Sequence, residues 1–309
     1  AKYDVIDVND FSKEELIKLF KECKENNSGK SLDELLDIAF NQVKEDENDS
    51  FDKFKAEFLK ANGIDEYQYY TKNVNPELKR YIEENVFPQY SKNDQGHGIL
   101  HILEVIRRSF ALRDTLGLKL DDNIMYASAA CHDWGKYEEH ETGEKHAKIA
   151  GRRFINDKKL TSFFSSQDAI TVKEAIEDHS SSLEDMPRSD YGKLVSSADR
   201  NTSIRMVFIR SFFVGKRKNP TQTISDYLEY TLQRLRKRYS EEDSENMFYA
   251  DKTYENFLSD MRTLLKDGDK FKNLYCETNH ITSYDHVLAE EPGETSYINM
   301  FKAKEIEER

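Results

Sequence analysis

Apolar residues recur at helical spacing along most of the chain. Near the start, Ser31 and Glu34 stand at the spacing of a capping box, directly before an apolar run that begins at Leu35. Thr223 opens another such pattern, which ends in the basic residues 236–238, as suits a helix C-terminus. Only 5 prolines and 12 glycines interrupt the 309 residues. We therefore predict long helices and an all-α fold.

Shifts in composition divide the chain into three segments. Residues 1–75 are acidic and helical in pattern, and they include the charged run 45–50, which is typical of a solvated linker. The segment 76–215 carries the candidate chemistry, and 216–309 is again polar and helical. The basic run 216–218 is expected to lie in a solvated loop. We predict a central domain with helical N- and C-terminal extensions, the latter either completing the same globule or standing apart from it.

The densest apolar run of the chain ends in a histidine and an aspartate. It covers residues 124–131 and is followed directly by His132 and Asp133. Small and apolar residues at this density predict a buried helix. Burying such a pair is costly unless a hydrogen bond or a metal ion neutralises it. An isolated pair is usually hydrogen-bonded in a core, but imidazole and carboxylate oxygen also both ligate divalent cations. The other histidines decide between these interpretations.

Two histidines stand near the start of the preceding helical pattern, 99–116. His101 shares a face with Val105 and Leu112, so it is expected to point toward the core. His97 lies one turn earlier on the same face, if the helix extends that far. A lone histidine on an apolar face is usually a hydrogen-bonded core residue. Here two of them precede another histidine that stands beside an aspartate.

Later helical patterns also begin or end at a histidine or an aspartate. His146 opens one pattern directly after an acidic loop, and His179 closes the next. Asp199 follows a run of apolar and small residues. Its alternative role is that of a buried ion-pair partner of Arg200 or Arg205, and for Asp199 alone the two interpretations are equal.

Six residues together form a candidate ligand set: His101, His132, Asp133, His146, His179 and Asp199. Imidazoles mixed with carboxylates suit divalent cations such as Mn, Fe, Co, Ni, Zn or Mg. Six protein ligands exceed what one ion needs when water must also bind, so we predict two divalent metal ions with a shared carboxylate. His140, in the acidic loop, is expected to be solvated and is not counted.

The order and local contexts of these residues resemble the HD-domain superfamily of metal-dependent phosphohydrolases. Residues 96–105 look like the first motif of the family, in which a valine follows the metal histidine by four positions. Residues 132–136, His-Asp-Trp-Gly-Lys, look like the HD-x-G-K signature, and 193–200 look like the closing aspartate motif. The two further histidines point to the two-metal type. The chain lacks the glycine-tyrosine-proline signatures of the cyclic-dinucleotide branch, so membership in that branch is not expected.

The resemblance implies an all-α HD-domain helical bundle with its metals in a helix-lined cleft. It implies that His101, His132, Asp133 and Asp199 hold one ion, that His146 and His179 hold the second, and that Asp133 bridges the two. Lys136 is implied as a phosphate-contacting residue, although a surface lysine is equally expected from the sequence, and His97 as a substrate-facing residue. The implied reaction is hydrolysis of a phosphomonoester or phosphodiester by a metal-bound hydroxide. The expected substrate is a nucleotide.

Charge and cysteine content limit the partners and the compartment. The net charge of −13 argues against duplex nucleic acid and anionic membranes as partners, but it leaves room for a small phosphorylated substrate. The 3 cysteines are widely spaced and odd in number, which favours reduced thiols and a cytoplasmic protein. No stretch approaches the roughly 20 apolar residues that span a bilayer. The sequence carries no signal for an oligomeric state.

Two alternatives belong to other functional classes. The same scaffold also supports a di-iron oxygenase, which an iron-specific requirement and oxygen-dependent turnover would reveal. A catalytically silent nucleotide-sensing module is the second alternative, but it has no need to retain all six ligands.

Overall fold

The described residues of the computed structural model are 11–44, 51–240 and 247–288. Within these ranges the regular structure is α-helix and short 3-10 helix, with one isolated antiparallel bridge between Thr223 and Val287. The all-α prediction is therefore confirmed.

Some predicted features cannot be compared with the structure. The charged run 45–50 lies outside the described residues. The same holds for residues 289–309 of the predicted C-terminal segment 216–309.

The described residues fall into two compact units. The larger comprises 11–44, 51–200 and 247–253. Its helices are α1 (Lys13–Asn26), α2 (Leu32–Val43), α3 (Phe51–Ala61), α4 (Glu66–Tyr70), α5 (Pro76–Asn85), α6 (Ile99–Thr115), α7 (Asp122–Cys131), α8 (Glu139–Thr142), α9 (His146–Asn156), α10 (Lys158–Thr161), α11 (Ser166–Asp178) and α12 (Asp190–Ala198). Short 3-10 helices cover Phe87–Lys92, Gln95–His97 and Lys136–Glu138.

Local capping sets where the first helices begin. Ser31 and Glu34 form the predicted capping box at the start of α2, with each side chain bonded to the other residue's backbone N–H. Ser12 and Glu15 form a second capping box at the start of α1. These bonds satisfy backbone donors that have no partner inside the helix, which stabilises each helix start by about 1 kcal/mol.

Helix α7 is the centre of the larger unit. Every residue from Ile124 to Cys131 is buried, as the uniformly apolar run predicts. It packs against α6, α11 and α12, and α11 in turn packs against α9 and α12. The ends of these helices therefore meet around the C-terminal end of α7, where His132 and Asp133 follow.

A sharp turn after α7 depends on Gly135. Its φ of +106° lies in the left-handed region, and a Cβ atom there would stand 2.9 Å from Cγ2 of Ile149 on α9. The neighbouring Trp134 is buried, and its indole N–H donates to Gln89 at 3.0 Å. The indole ring therefore lies in the core.

The smaller unit comprises the described residues 201–240 and 254–288. It contains α13 (Ile204–Lys218), α14 (Ile224–Arg238), most of α15 (Lys252–Lys266) and α16 (Gly268–Thr278). A separate apolar core, in which Phe208 and Phe271 are fully buried, holds these helices together. The basic run 216–218 forms the last turn of α13, so its assignment to a loop was wrong. Basic residues are favourable there because the helix C-terminus is partially negative.

The division into two compact units does not test the three-segment organisation predicted from the sequence. Compactness alone does not show which segments fold as domains, so the division into 1–75, 76–215 and 216–309 stays a prediction. In the part of the chain that the structure describes, no helix is both long enough and apolar enough to traverse a lipid bilayer.

Candidate metal centre

All six predicted ligands lie at helix ends of the larger unit. His101 is in the first turn of α6, and His146 is the first residue of α9. The others directly follow the ends of α7, α11 and α12: His132, Asp133, His179 and Asp199. Because these helices converge, residues separated by up to 98 positions in the chain come into proximity.

The potential ligand atoms form two groups that share one aspartate. The first group consists of His101, His132, Asp133 and Asp199, and the second of Asp133, His146 and His179. Within each group the atoms lie within 4.8 Å of one another. The structure therefore brings together the residues predicted from the sequence, in the division that the resemblance implies.

The two carboxylate oxygens of Asp133 face different groups. Oδ2 lies 3.6 Å from Nε2 of His101 and 3.3 Å from Nε2 of His132. Oδ1 lies 3.3 Å from Nε2 of His146 and 3.5 Å from Nε2 of His179. Asp133 would therefore supply one oxygen to an ion in each group.

Several of these atoms are buried without a hydrogen-bond partner. Among the described residues, Nε2 of His101, Nε2 of His132 and Oδ2 of Asp133 have none, although Nε2 of His101 lies 2.8 Å from Oδ1 of Asp199. An unsatisfied buried polar atom costs about 1–3 kcal/mol, so a cluster of them calls for an explanation. Two ligands bound at about 2.1 Å to one ion lie roughly 3.0–3.4 Å apart, and the spacings around Asp133 are close to that range. These residues therefore fit a divalent cation in each group.

Backbone carbonyls fix the tautomer of two of the histidines. Nδ1 of His132 is 2.7 Å from the carbonyl oxygen of Ala129, and Nδ1 of His179 is 2.6 Å from that of Ile176. A carbonyl can only accept, so each Nδ1 carries a proton and donates it. This orients both rings with Nε2 toward the centre, the arrangement usual for histidine ligands.

Opposite charges outweigh the effect of burial on the acidic ligands. Burial opposes ionisation of Asp133, but His132 and His179 hold the pKa of that carboxyl well below its usual range. Burial likewise opposes ionisation of Asp199, but the neighbouring imidazoles of His101 and His132 hold the pKa of that carboxyl well below its usual range. Both carboxyl groups are therefore anionic at neutral pH, which is the form that ligates cations.

His97 and Lys136, both predicted to act on substrate, lie beside the centre. His97 belongs to the 3-10 helix Gln95–His97, since α6 begins only at Ile99, so it is not one turn earlier on α6. Its ring centroid is 5.8 Å from that of His101. Nζ of Lys136 lies 2.9 Å from Nδ1 of His146. Contact of either residue with a substrate stays a prediction.

Three residues that the sequence analysis did not single out support the centre. Asn93 donates to the carbonyl oxygen of Asp133 at 3.1 Å, and Oε2 of Glu139 lies 3.2 Å from Nδ1 of His146. Arg108 is buried and donates to carbonyl oxygens at the end of α12. Arg108 stands seven residues after His101 and therefore on the same helix face, so its spacing indicated a position near the centre. No sequence pattern singled out Asn93 or Glu139.

The comparison with protein families agrees with this arrangement. The family model described as HD domain matches residues 98–203, about a third of the chain and a range that includes all six candidate ligands. This part of the chain is therefore similar to the HD domain family, and the resemblance inferred from the motifs is confirmed. No curated protein and no solved structure gave a significant match.

Proposed function

We propose that this protein is a metal-dependent phosphohydrolase that cleaves a phosphomonoester or phosphodiester bond of a small substrate. The observation that carries the proposal is the pair of ligand groups joined by Asp133. Two divalent ions in such a pair supply activation of water and charge stabilisation for phosphoryl transfer. The nucleotide as preferred substrate rests on the resemblance to the HD superfamily.

The residues next to the ligand groups suit an anionic substrate. Nδ1 of His97 lies 2.9 Å from Oδ1 of Asp94. Burial lowers the pKa of His97, but the hydrogen bond to Asp94 and the negative charges of Asp133 and Asp94 together outweigh burial and raise that pKa above its usual value. The imidazolium form has a second N–H, at Nε2, which is suited to donate to a phosphoryl or leaving-group oxygen. Lys136 adds a positive charge next to the second group, where it favours the charge of a phosphoryl group.

The overall charge favours a small substrate. With a net charge of −13, the chain has no general attraction for a polyanionic duplex or an anionic lipid surface. Binding of a phosphate group therefore depends on local positive charge at the centre. A cytoplasmic location, proposed from the cysteine pattern, goes with a small phosphorylated metabolite as substrate.

The test combines metal analysis with a substrate panel. Purified protein is analysed for bound metals and is assayed with Mn²⁺ or Fe²⁺ on p-nitrophenyl phosphate, bis-p-nitrophenyl phosphate and a set of nucleotides. His146→Ala is expected to lower hydrolysis at least 100-fold. His140→Ala removes an exposed histidine six positions earlier and is expected to retain wild-type activity.

Three outcomes would contradict the proposal. Metal-loaded protein without hydrolysis of any phosphate ester would favour the nucleotide-sensing alternative, especially if nucleotides raise the melting temperature. Turnover that requires iron and consumes oxygen would favour the oxygenase. Equal activity of the His146→Ala and His140→Ala variants would show that the centre is not the catalytic site.

A further inference from the structure

His146 differs from His179, the other histidine of its group, in what holds its ring. Nδ1 of His179 donates to a backbone carbonyl, whereas Nδ1 of His146 faces two charged side chains. Oε2 of Glu139 is 3.2 Å away and Nζ of Lys136 is 2.9 Å away. These two side chains also pair with each other, with 2.6 Å between Nζ and Oε2.

Glu139 and Lys136 favour opposite protonation states of Nδ1 of His146. A carboxylate accepts a hydrogen bond, so Glu139 requires a proton on Nδ1 of His146. An ammonium group only donates, so Lys136 requires a bare Nδ1. A neutral imidazole carries one proton, and the choice decides whether Nε2 is free to bind a cation.

The contact on the other side of the ring fits the form that Lys136 favours without a cation, and the form that Glu139 favours with one. Nε2 of His146 lies 3.1 Å from Nε2 of His179. Because Nδ1 of His179 donates to Ile176, its Nε2 is bare and can accept. In the form that Lys136 favours, Nε2–H of His146 donates to His179. In the form that Glu139 favours, both Nε2 atoms are bare and both can ligate a cation.

We propose that Glu139 is a positioning residue that holds His146 in its ligating tautomer, while Lys136 favours the non-ligating one. This inference rests on the proposed metal centre. It makes the second group, Asp133 with His146 and His179, the weaker and separately loaded cation site. A cation there repels the Lys136 ammonium group and favours the Glu139-bonded form, so loading of the second site shifts Lys136 away from His146.

Glu139 and Lys136 have no polar contact with the histidines of the first group or with Asp199 in the described part of the chain. Among the contacts of the described residues, neither Lys136 nor Glu139 forms a hydrogen bond or ion pair with His101, His132 or Asp199. Changes at Lys136 or Glu139 are therefore expected to act on one of the two cation sites.

The experiment titrates metal-free, full-length protein with Mn²⁺ by calorimetry and follows the bound ions by electron paramagnetic resonance. Wild-type protein is expected to show two binding events, with a spin-coupled signal after the second. Glu139→Gln keeps the size of the side chain but removes its charge. It is expected to weaken the second binding event 10–100-fold and to leave the first unchanged. A loss of this size is usual when a carboxylate that is hydrogen-bonded to a histidine ligand is removed.

The Lys136→Met variant tests whether Lys136 opposes Glu139, as proposed. Loss of the competing cation is expected to leave the second event as tight as in wild-type protein or tighter. Glu141→Gln removes the same charge from an exposed position on α8 and is expected to match wild-type binding. Equal weakening by Glu139→Gln and Lys136→Met would overturn the proposal, because it would indicate a purely structural network. An unchanged second event in Glu139→Gln would overturn it as well.

A failure of the proposed function has a different signature. If wild-type protein binds fewer than two Mn²⁺ ions, the binuclear centre itself is wrong. Should Glu139→Gln fail to fold, ¹⁵N shifts of His146 in wild-type protein provide the second test. They are expected to show a protonated Nδ1 once two Zn²⁺ ions are bound, and a bare Nδ1 at that stage would overturn the proposal.

Discussion

The guanidinium group of Arg108 donates a hydrogen bond of 2.7 Å to Oδ2 of Asp251, and both side chains are buried. The same guanidinium group donates to the carbonyl oxygens of Ser197 and Ala198, each at 3.2 Å. These carbonyls end α12, directly before Asp199. Arg108 on α6 thus stabilises the helix end that positions an acidic ligand of the centre, where the helix dipole favours a cation.

Loss of Arg108 is expected to destabilise the larger unit strongly. Arg108→Met leaves Asp251 without this cation partner in a buried site, and breaking such a pair costs about 3–5 kcal/mol. Denaturant unfolding followed by circular dichroism measures the change. Arg152→Met breaks an ion pair with Glu144 on the surface and is expected to leave the unfolding midpoint nearly unchanged. Similar midpoints for the two variants would contradict the assignment.

Asp133 is expected to be needed for both cations. Asp133→Asn replaces an oxygen that faces one group by an amide nitrogen, and it removes the negative charge that both groups share. We therefore expect this variant to bind no tightly held metal, whereas His146→Ala retains one ion in the first group. Elemental analysis after gel filtration measures the stoichiometry. Retention of one ion by Asp133→Asn would show that the carboxylate does not bridge.

The turn between Asp133 and Lys136 is expected to tolerate no side chain at Gly135. Gly135→Ala combines an unfavourable φ with a Cβ that crowds Ile149, and each effect costs about 1–3 kcal/mol. Gly29→Ala is the matched control, because its φ of +81° is also positive but nothing lies within 4 Å of the added Cβ. Thermal unfolding should show the larger loss for Gly135→Ala. Equal losses would mean that only the backbone conformation matters.

The smaller unit is expected to lose stability as the pH rises through the range in which Asp260 ionises. Burial raises the pKa of Asp260 from 3.8 to about 6. Between these values the folded state binds the proton more tightly than the unfolded state does, so stability falls as pH increases and stays reduced above pH 6. Asp260→Asn should therefore be more stable than wild-type protein at pH 7 and lose this advantage near pH 4. Parallel stability curves for both proteins would contradict this.

The sequence determined the helical class and the identity of the candidate ligands. Helix starts such as that at Ser31 depend on contacts three residues away, which a linear pattern contains in full. The six ligands stood out because each begins, interrupts or ends an apolar helical pattern, where a buried polar group is costly unless it has a partner. The pattern 99–116 predicted the start of α6 correctly and left open whether the helix extends back to His97, which it does not.

Only the tertiary structure decided how these residues meet. The helix packing turns Oδ1 and Oδ2 of Asp133 toward different groups, and it brings Asp251 to Arg108, 143 positions earlier in the chain. Glu139 reached His146 in the same way, from a segment that looked like an exposed acidic loop. Periodicity reports which face of a helix is buried, but not which side chains of other helices that face will meet, because those contacts depend on how the whole core packs.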